Sequence, residues 1–407
     1  MPWLRALFAL CVCASIAAAG DWPQWLGPTR DGVSPEKVAA WKEPPRRGWA
    51  VSVGQGHSSP VVAGGKVFLH AQVRGQDAEE VTAYDAASGK RLWSKSYPRS
   101  AFESKFGTGP RATPCIAGGK LYTFGVTGVL SCFEADGGQE VWRVDTLKEF
   151  KAPNLFFGVS SSPLIDGDNV LGMVGTGATV IAFDKDKGQV RWKSLSDAAS
   201  YASPMVVGTG KDRQVIFVTQ KGVASLNPAD GSQYWKVPMV DVLNESSTTP
   251  VKVGDLLLAS SVTFGSIGVR LESKEGKPAA AEAWKNPKLT CYFATPVAVG
   301  ADHVYMVTGA IVPPQATLYC VEAKSGKPLW QKDKVGRYHA TLLRTGDDKL
   351  LMLDDAGNLI LIDPSREGYR ELARAKVCGV TWAHPALAGG RLYVRDEKEL
   401  ICLKLGD

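Results

Sequence analysis

Past its first nineteen residues the 407-residue chain has no apolar run long enough to cross a bilayer, which argues against a membrane-spanning protein. Lys and Arg form no long run and are interspersed with Asp and Glu, so a net charge of +6 leaves no footprint for nucleic acid. No segment after the leader sustains a helical period, which points to an all-β chain. Histidine is scarce, with five residues, and no His/Cys/Asp spacing forms a recognisable metal site. No Gly-Ser nucleophile turn or paired-carboxylate motif stands out either.

What is present begins with a leader. Arg5 precedes an apolar stretch from Ala6 to Ala19 that ends in small residues, the pattern of a secretory signal peptide over residues 1–19. Cys11 and Cys13 follow Leu10 and Val12, not the small residue a lipoprotein cleavage site needs. The expectation is an exported protein of the periplasm or cell envelope, without a lipid anchor. Six cysteines remain. Cys132, Cys320 and Cys402 share one repeat position that Ala83, Ala182 and Ser225 fill elsewhere, so they read as small core residues and free thiols. Cys115 and Cys132 fall two strands apart, beyond disulfide reach at about 4.8 Å per strand.

The dominant feature is a repeat. A small residue and a proline open a short apolar strand at Ser59-Pro60, Thr113-Pro114, Ser162-Pro163, Ser203-Pro204, Thr249-Pro250 and Thr295-Pro296. Variants follow at Thr341-Leu342 and His384-Pro385. In phase with them stand Trp49, Trp93, Trp142, Trp192, Trp235, Trp284, Trp330 and then Tyr369. A period of roughly 40–50 residues marks β-propeller blades. Starts near 59, 112, 161, 202, 248, 294, 339 and 383 give eight four-stranded antiparallel blades over residues 48–407, after an N-terminal extension at 20–47. The last repeat supplies three strands, while residues 48–53 carry a fourth-strand motif with no strands before it. Pairing these ends completes the eighth blade and removes both exposed edges.

The hairpin Asp85…Gly89…Trp93 recurs as Glu134…Gly137…Trp142, Asn227…Gly231…Trp235 and Glu322…Gly326…Trp330. It resembles the tryptophan-docking motif of the quinoprotein family, the eight-bladed propellers of pyrroloquinoline quinone (PQQ) dehydrogenases, and of related non-enzymatic, BamB-like propellers. The opening Asp21-Trp22-Pro23-Gln24-Trp25-Leu26-Gly27-Pro28-Thr29-Arg30-Asp31-Gly32 and the later Gly368-Tyr369-Arg370-Glu371-Leu372-Ala373 are similar to PQQ-like repeat proteins found in planctomycete-type bacteria. The resemblance covers the whole mature chain. It implies a fold more strongly than a function. Quinoprotein chemistry would need a base carboxylate, calcium beside the quinone and usually a vicinal disulfide. No adjacent cysteines and no Cys-x-x-Cys-His are present. Glu103, Glu149, Asp197, Asp241, Glu245 and Asp333 sit on loops without an evident order.

Candidate binding residues come from the repeat register. The position three before each proline, or its equivalent, reads His57, Arg111, Ser160, Tyr201, Ser247, Phe293, His339 and Trp382. These should ring the channel entrance, and their variety is what a pocket shows. Two longer loops on the same face, Lys95 to Ala112 and Asp145 to Ser160, add Phe102, Phe106, Phe156 and Phe157, as a ligand platform or a plug for the channel mouth. The leading expectation is a non-catalytic, monomeric scaffold without cofactor or metal, binding a protein or envelope polymer. The alternatives are a quinoprotein-type redox enzyme, using PQQ and calcium in a reduced pocket, and a carbohydrate-binding or lyase-type propeller.

Overall fold

The computed structural model describes residues 20–405 apart from 176 and 312. The expected leader, with Cys11 and Cys13, lies outside the described residues. Eight four-stranded antiparallel sheets follow one another along the chain. The third blade is representative: Leu164–Asp166, Asn169–Gly175, Ala178–Asp184 and Val190–Ser194 pair in that order. Its second and third strands are almost wholly buried, because each blade is covered on both faces by its neighbours. The fourth strand is the outer edge and alternates exposed with half-buried residues. Helix is confined among the described residues to one turn at Thr146–Glu149 and a 3-10 turn at Gly210–Asp212.

The ends of the chain close the ring. Arg46–Ser52 pairs antiparallel with Glu399–Lys404, placing Trp49 opposite Cys402. Arg391–Arg395 and Ala386–Ala388 complete that blade. Buried Arg395 then donates to the carbonyls of Gly54, in the connection to blade one, and His70, in blade one, at 2.7 and 3.4 Å. Trp49 Nε1 and the Tyr393 hydroxyl both donate to the Ala86 carbonyl at 3.1 Å.

The cores lie between blades. Phe124, Leu130 and Cys132 of blade two pack with Val170, Ile181 and Phe183 of blade three. The tryptophans seal the outer rim. Trp93 Nε1 bonds the Ala135 carbonyl of the next blade at 3.1 Å, Trp142 that of Lys185 at 2.9 Å, and Trp284 that of Ala323 at 2.8 Å. Each indole lies flat on the hairpin glycine it meets. At Gly188, φ is +70° and a Cβ would sit 2.7 Å from the Trp142 ring, so only glycine allows the contact. The residue opposite each tryptophan across the strand pair is small: Ala83, Cys132, Ala182, Ser225, Gly268, Cys320 and Cys402. The six described cysteines are free and buried.

Three details of the repeat differ from expectation. In blade two the docking glycine is Gly138, beneath Trp93, and not Gly137. In blade seven Ala373, opposite Leu361, takes the tryptophan slot; Tyr369 precedes the strand and packs on Trp330 at 6.4 Å. Trp235 bonds Gln214 Oε1 of its own blade at 2.7 Å, because the fifth blade's hairpin, Gly265–Lys274 with Lys277–Asn286, is long and offers no docking glycine.

The extension at 20–47 has a role that the repeats did not announce. It crosses the tight-turn face and enters the channel, touching all eight blades. Trp22 pairs with Val62, and the Pro23 carbonyl accepts from Ile116 N at 2.8 Å. Arg30, 2% exposed, donates to the carbonyls of Ser162, Pro163 and Pro204 at 3.2, 3.0 and 2.8 Å. Trp25 reaches Thr249, and Gly32 approaches Val297. Ser34 N bonds the Arg344 carbonyl at 2.8 Å, and Glu36 caps the Gly389 and Gly390 amides.

Candidate functional site

The Ser/Thr-Pro motif builds a girdle around the channel. The backbone N–H of Ser59 donates to Thr113 Oγ1 at 3.1 Å, that of Thr113 to Ser162 Oγ at 2.9 Å, and that of Ser162 to Ser203 Oγ at 2.9 Å. Thr249 N and Thr295 Oγ1 repeat the link at 3.3 Å. Proline leaves no N–H of its own at the next position, so the preceding hydroxyl is free to serve the neighbouring blade. The girdle breaks at Thr249, whose hydroxyl accepts from Trp25, and again where the motif varies. Thr341, followed by Leu342, turns its hydroxyl to Leu353 of its own blade at 3.4 Å. At the closing blade, where His384 replaces the small residue, Ser59 Oγ has no partner.

Above this girdle lies a cavity of roughly 690 Å³. It opens on the loop face and ends at Trp25. Seven of the ten candidate residues line it: His57, Arg111, Tyr201, Phe293, Trp382, Phe106 and Phe157. Three do not. His339 is buried behind the wall, its ring 4.7 Å from that of Trp382. Phe102 lies under the Arg111 guanidinium at 5.6 Å. Phe156 points outward, 71% exposed, and rests on Phe157 at 4.9 Å. Phe157 spans the mouth, meeting Phe106 and Tyr201 at 5.3 Å and Phe293 at 6.4 Å. The long loops therefore narrow the channel mouth with Phe106 and Phe157 and leave Phe156 on the surface.

The repeat register did not single out Trp25, Tyr292, Tyr338, Glu245, Glu397 or His384 as lining residues. His384 stood in view as the one aberrant girdle residue. Trp25 carried no signal, since the extension has no repeat to place it.

The polar groups are unevenly served. Arg111 donates to the backbone carbonyls of Gly109, Phe106 and Gly107 at 3.1, 3.2 and 2.9 Å. Loss of water lowers its pKa to about 10. His57 Nε2–H donates to the Phe106 carbonyl at 2.8 Å, and burial, then the Arg111 charge, pushes its pKa down to about 3. His384, 3% exposed, stands edge-on to Trp25 at 4.6 Å with neither ring nitrogen partnered. Burial pushes its pKa to about 3 as well, so it offers one donor and one acceptor at neutral pH. Across the cavity the Tyr292 hydroxyl donates to Glu245.

These residues do not fit a quinone–calcium pair. Calcium takes six or more oxygens, whereas the cavity carboxylates are Glu245, engaged by Tyr292, and Glu397. Among the described residues no group of three His, Cys, Asp or Glu side chains could hold a metal ion. No cysteine lines the cavity. No described helix is long and apolar enough to cross a membrane.

The family model described as outer membrane protein assembly factor BamB matches residues 34–100, 77–332 and 269–405. An outer membrane protein assembly factor BamB of Shewanella oneidensis is 24% identical over 371 residues, 86% of each chain. Quinohemoprotein alcohol dehydrogenase from Comamonas testosteroni superposes with a TM-score of 0.64 at 13% identity, over 96% of this chain and 81% of that one. BamB from Moraxella catarrhalis does so with 0.62 at 16% identity, over 88% and 97%. At such identities the structural likeness speaks for the fold.

Proposed function

The chain belongs to the family of outer membrane protein assembly factor BamB, and from that premise we propose that it is a non-catalytic, exported scaffold of the cell envelope. It works as a monomer and holds a protein or envelope ligand on its loop face. The observation that carries this reading is the exposure of apolar side chains from four separate loops on that face. Phe106, Phe156, Val242 and Val380 are 52%, 71%, 78% and 52% exposed; Phe106 lines the aromatic cavity and Phe156 rests on Phe157 at its mouth. Exposed apolar surface concentrated on one face marks an interaction site. The extension fills the opposite end of the channel, so a ligand has one way in. The redox alternative has no support in the donor set described above.

The test compares envelope proteins retained by the immobilised native chain and by Phe106→Ser/Phe156→Ser/Val242→Ser. These positions are exposed, so the variant should fold. Loss of partners present on the native chain supports the reading; an unchanged set of partners removes it.

A further inference from the structure

Glu79 stands at the start of blade one's third strand, Ala78–Asp85, and its side chain is fully buried. At the same distance before the residue that faces the outer tryptophan, other blades carry Gly128, Ala178 and Ala316, and none carries an acid. A buried charge is costly unless it is paired and hydrogen-bonded, and the repeat does not call for this one. Oε2 is held inside the blade: it accepts from the Tyr97 hydroxyl at 2.8 Å and lies 3.3 Å from His70 Nε2. Oε1 reaches outward. It accepts from the Val126 N–H at 2.9 Å, in the turn between blade two's second and third strands, and lies 4.0 Å from Nε of Arg99, a buried atom without a hydrogen-bond partner. Each of these neighbours seats one of the long loops. The Val126 carbonyl accepts from Val159 N and Asn154 Nδ2 at 2.9 and 3.1 Å. Arg99 Nη2 donates to the Thr108 carbonyl at 3.1 Å. The loops also meet directly: a Cβ on Gly158 would lie 2.3 Å from Val126 Cγ2 and 3.1 Å from the Phe102 ring. Their tips, Phe106 and Phe157, touch at 5.3 Å.

We propose that Glu79 is a positioning residue for the loop-face mouth: one buried carboxylate latches both long loops, which together form a single lid over the cavity. Burial works to raise the pKa of Glu79, and its contacts with His70, Val126 and Tyr97 together hold it below the ordinary value, so the acceptor is charged at neutral pH. A charged acceptor bonds more strongly than a neutral one, and the dry surroundings strengthen its pull on Arg99. The two loops share this latch at their bases and the Phe106–Phe157 contact at their tips, so they open together. The ring beneath is tied separately, by strand pairing. In what the lid guards, the inference rests on the loop-face binding reading; the latch itself does not.

Limited trypsin digestion of the purified mature chain reads the lid. Lys105 and Lys151 are exposed, one on each loop, and Lys277 is exposed on the blade-five hairpin. In Glu79→Gln, cleavage after Lys105 and after Lys151 should rise together by about tenfold or more, with cleavage after Lys277 unchanged. Maleimide labelling of Ser160→Cys, a cavity position, should quicken by a similar factor when Glu79→Gln is added. Release of one loop without the other, or of neither, overturns the proposal. Equal acceleration at Lys277 does so too, since Glu79 would then be an ordinary part of the core. The native chain supplies a test that needs no variant. The amides of Arg99, Val126 and Val159 donate to the Asp77 carbonyl, Glu79 and the Val126 carbonyl at 3.0, 2.9 and 2.9 Å. In hydrogen exchange they should share one protection factor, lower than that of the paired strands; three unrelated factors overturn the latch. An unchanged partner set in Phe106→Ser/Phe156→Ser/Val242→Ser removes the binding reading without touching these rates, so the two readings fall separately.

Discussion

The indole N–H of Trp25 donates to the hydroxyl of Thr249 across 2.8 Å, and that bond joins the N-terminal extension to the far wall of the channel. Thr249 is a girdle residue whose hydroxyl serves the extension, whereas Thr113, Ser162 and Ser203 serve a neighbouring blade. A propeller ring has an open axis. Here the first strands of eight blades turn inward on a segment that satisfies their carbonyls with Arg30 and covers their apolar atoms with Trp22, Trp25 and Leu26. The plug sets the depth of the cavity and couples it to the stability of the ring.

Deleting residues 21–53 removes both the plug and the outer strand of the eighth blade. The truncated chain should melt at a lower temperature and self-associate, since two sheet edges are exposed. Calorimetry and light scattering check this, and a monomer with the native melting temperature would refute the closure. Arg30→Gln isolates the plug: three buried carbonyls lose charged donors, at a cost of roughly 2–4 kcal/mol in denaturant unfolding.

Acid should loosen the ring before the carboxylates titrate. Burial lowers the pKa of His339 from 6.5 to about 4, against the opposing pull of Asp355, and that of His384 to about 3. The folded state holds both rings neutral while the unfolded chain protonates them near pH 6.5. Their stability contribution is complete above pH 6.5 and is lost as pH falls toward 4 and 3. At pH 5 each costs on the order of 2 kcal/mol. Melting temperatures between pH 7 and pH 5 should fall in the native chain and fall less in His339→Gln/His384→Gln. An identical slope in that variant rejects the assignment.

The docking glycines should be costly to change and the turn glycines cheap. Gly188→Ala meets the Trp142 ring at 2.7 Å and also carries φ +70°, so roughly 2–5 kcal/mol is expected from strain and overpacking together. Gly118 has φ +57° with nothing within 4 Å of a Cβ, and Gly118→Ala should cost about 1–2 kcal/mol. Equal losses would show that backbone conformation alone sets the demand.

The blade count, the closure and most of the cavity wall were legible because each rests on a periodic signal. Ring position alone brought His57, Arg111, Tyr201, Phe293 and Trp382 to one wall. His339 shared the register yet turned behind Trp382, since repeat phase fixes a backbone site and leaves the rotamer to local packing. The slot of Trp93 and Trp142 was misplaced at Tyr369 because the strand opposite Leu361 begins later in blade seven. Trp25 and Arg30 were out of reach for a different reason. They act once, through an irregular segment with positive φ at Leu26 and Arg30, and no internal repeat can place a residue that has no counterpart.

The thiols should be inert in the fold. Loss of water raises Cys115 to about 11 and Cys132, Cys291 and Cys378 to about 12, leaving little thiolate at neutral pH. All six should alkylate slowly in native buffer and at once in denaturant, with no disulfide on non-reducing mass spectrometry. A Cys115–Cys132 or Cys291–Cys378 bridge would contradict the strand register.

Redox chemistry offers the sharpest separation between the scaffold reading and the quinoprotein one. A quinone dehydrogenase must hold calcium with several oxygens and place a free carboxylate as base beside the substrate. Glu245 is engaged by the Tyr292 hydroxyl, which leaves Glu397 as the second cavity carboxylate, near His57 and Arg395. Aromatic faces at Trp382 and Phe293 could stack a planar molecule, but stacking supplies neither the metal nor the base. Purified mature protein incubated with PQQ and calcium should therefore reduce no electron-acceptor dye with alcohols or sugars. The assay should include a working quinoprotein dehydrogenase, so that silence is attributable to the chain. Dye reduction that requires the added quinone, and that falls when Glu397 is replaced by Gln, would overturn the scaffold reading and make this cavity a catalytic one.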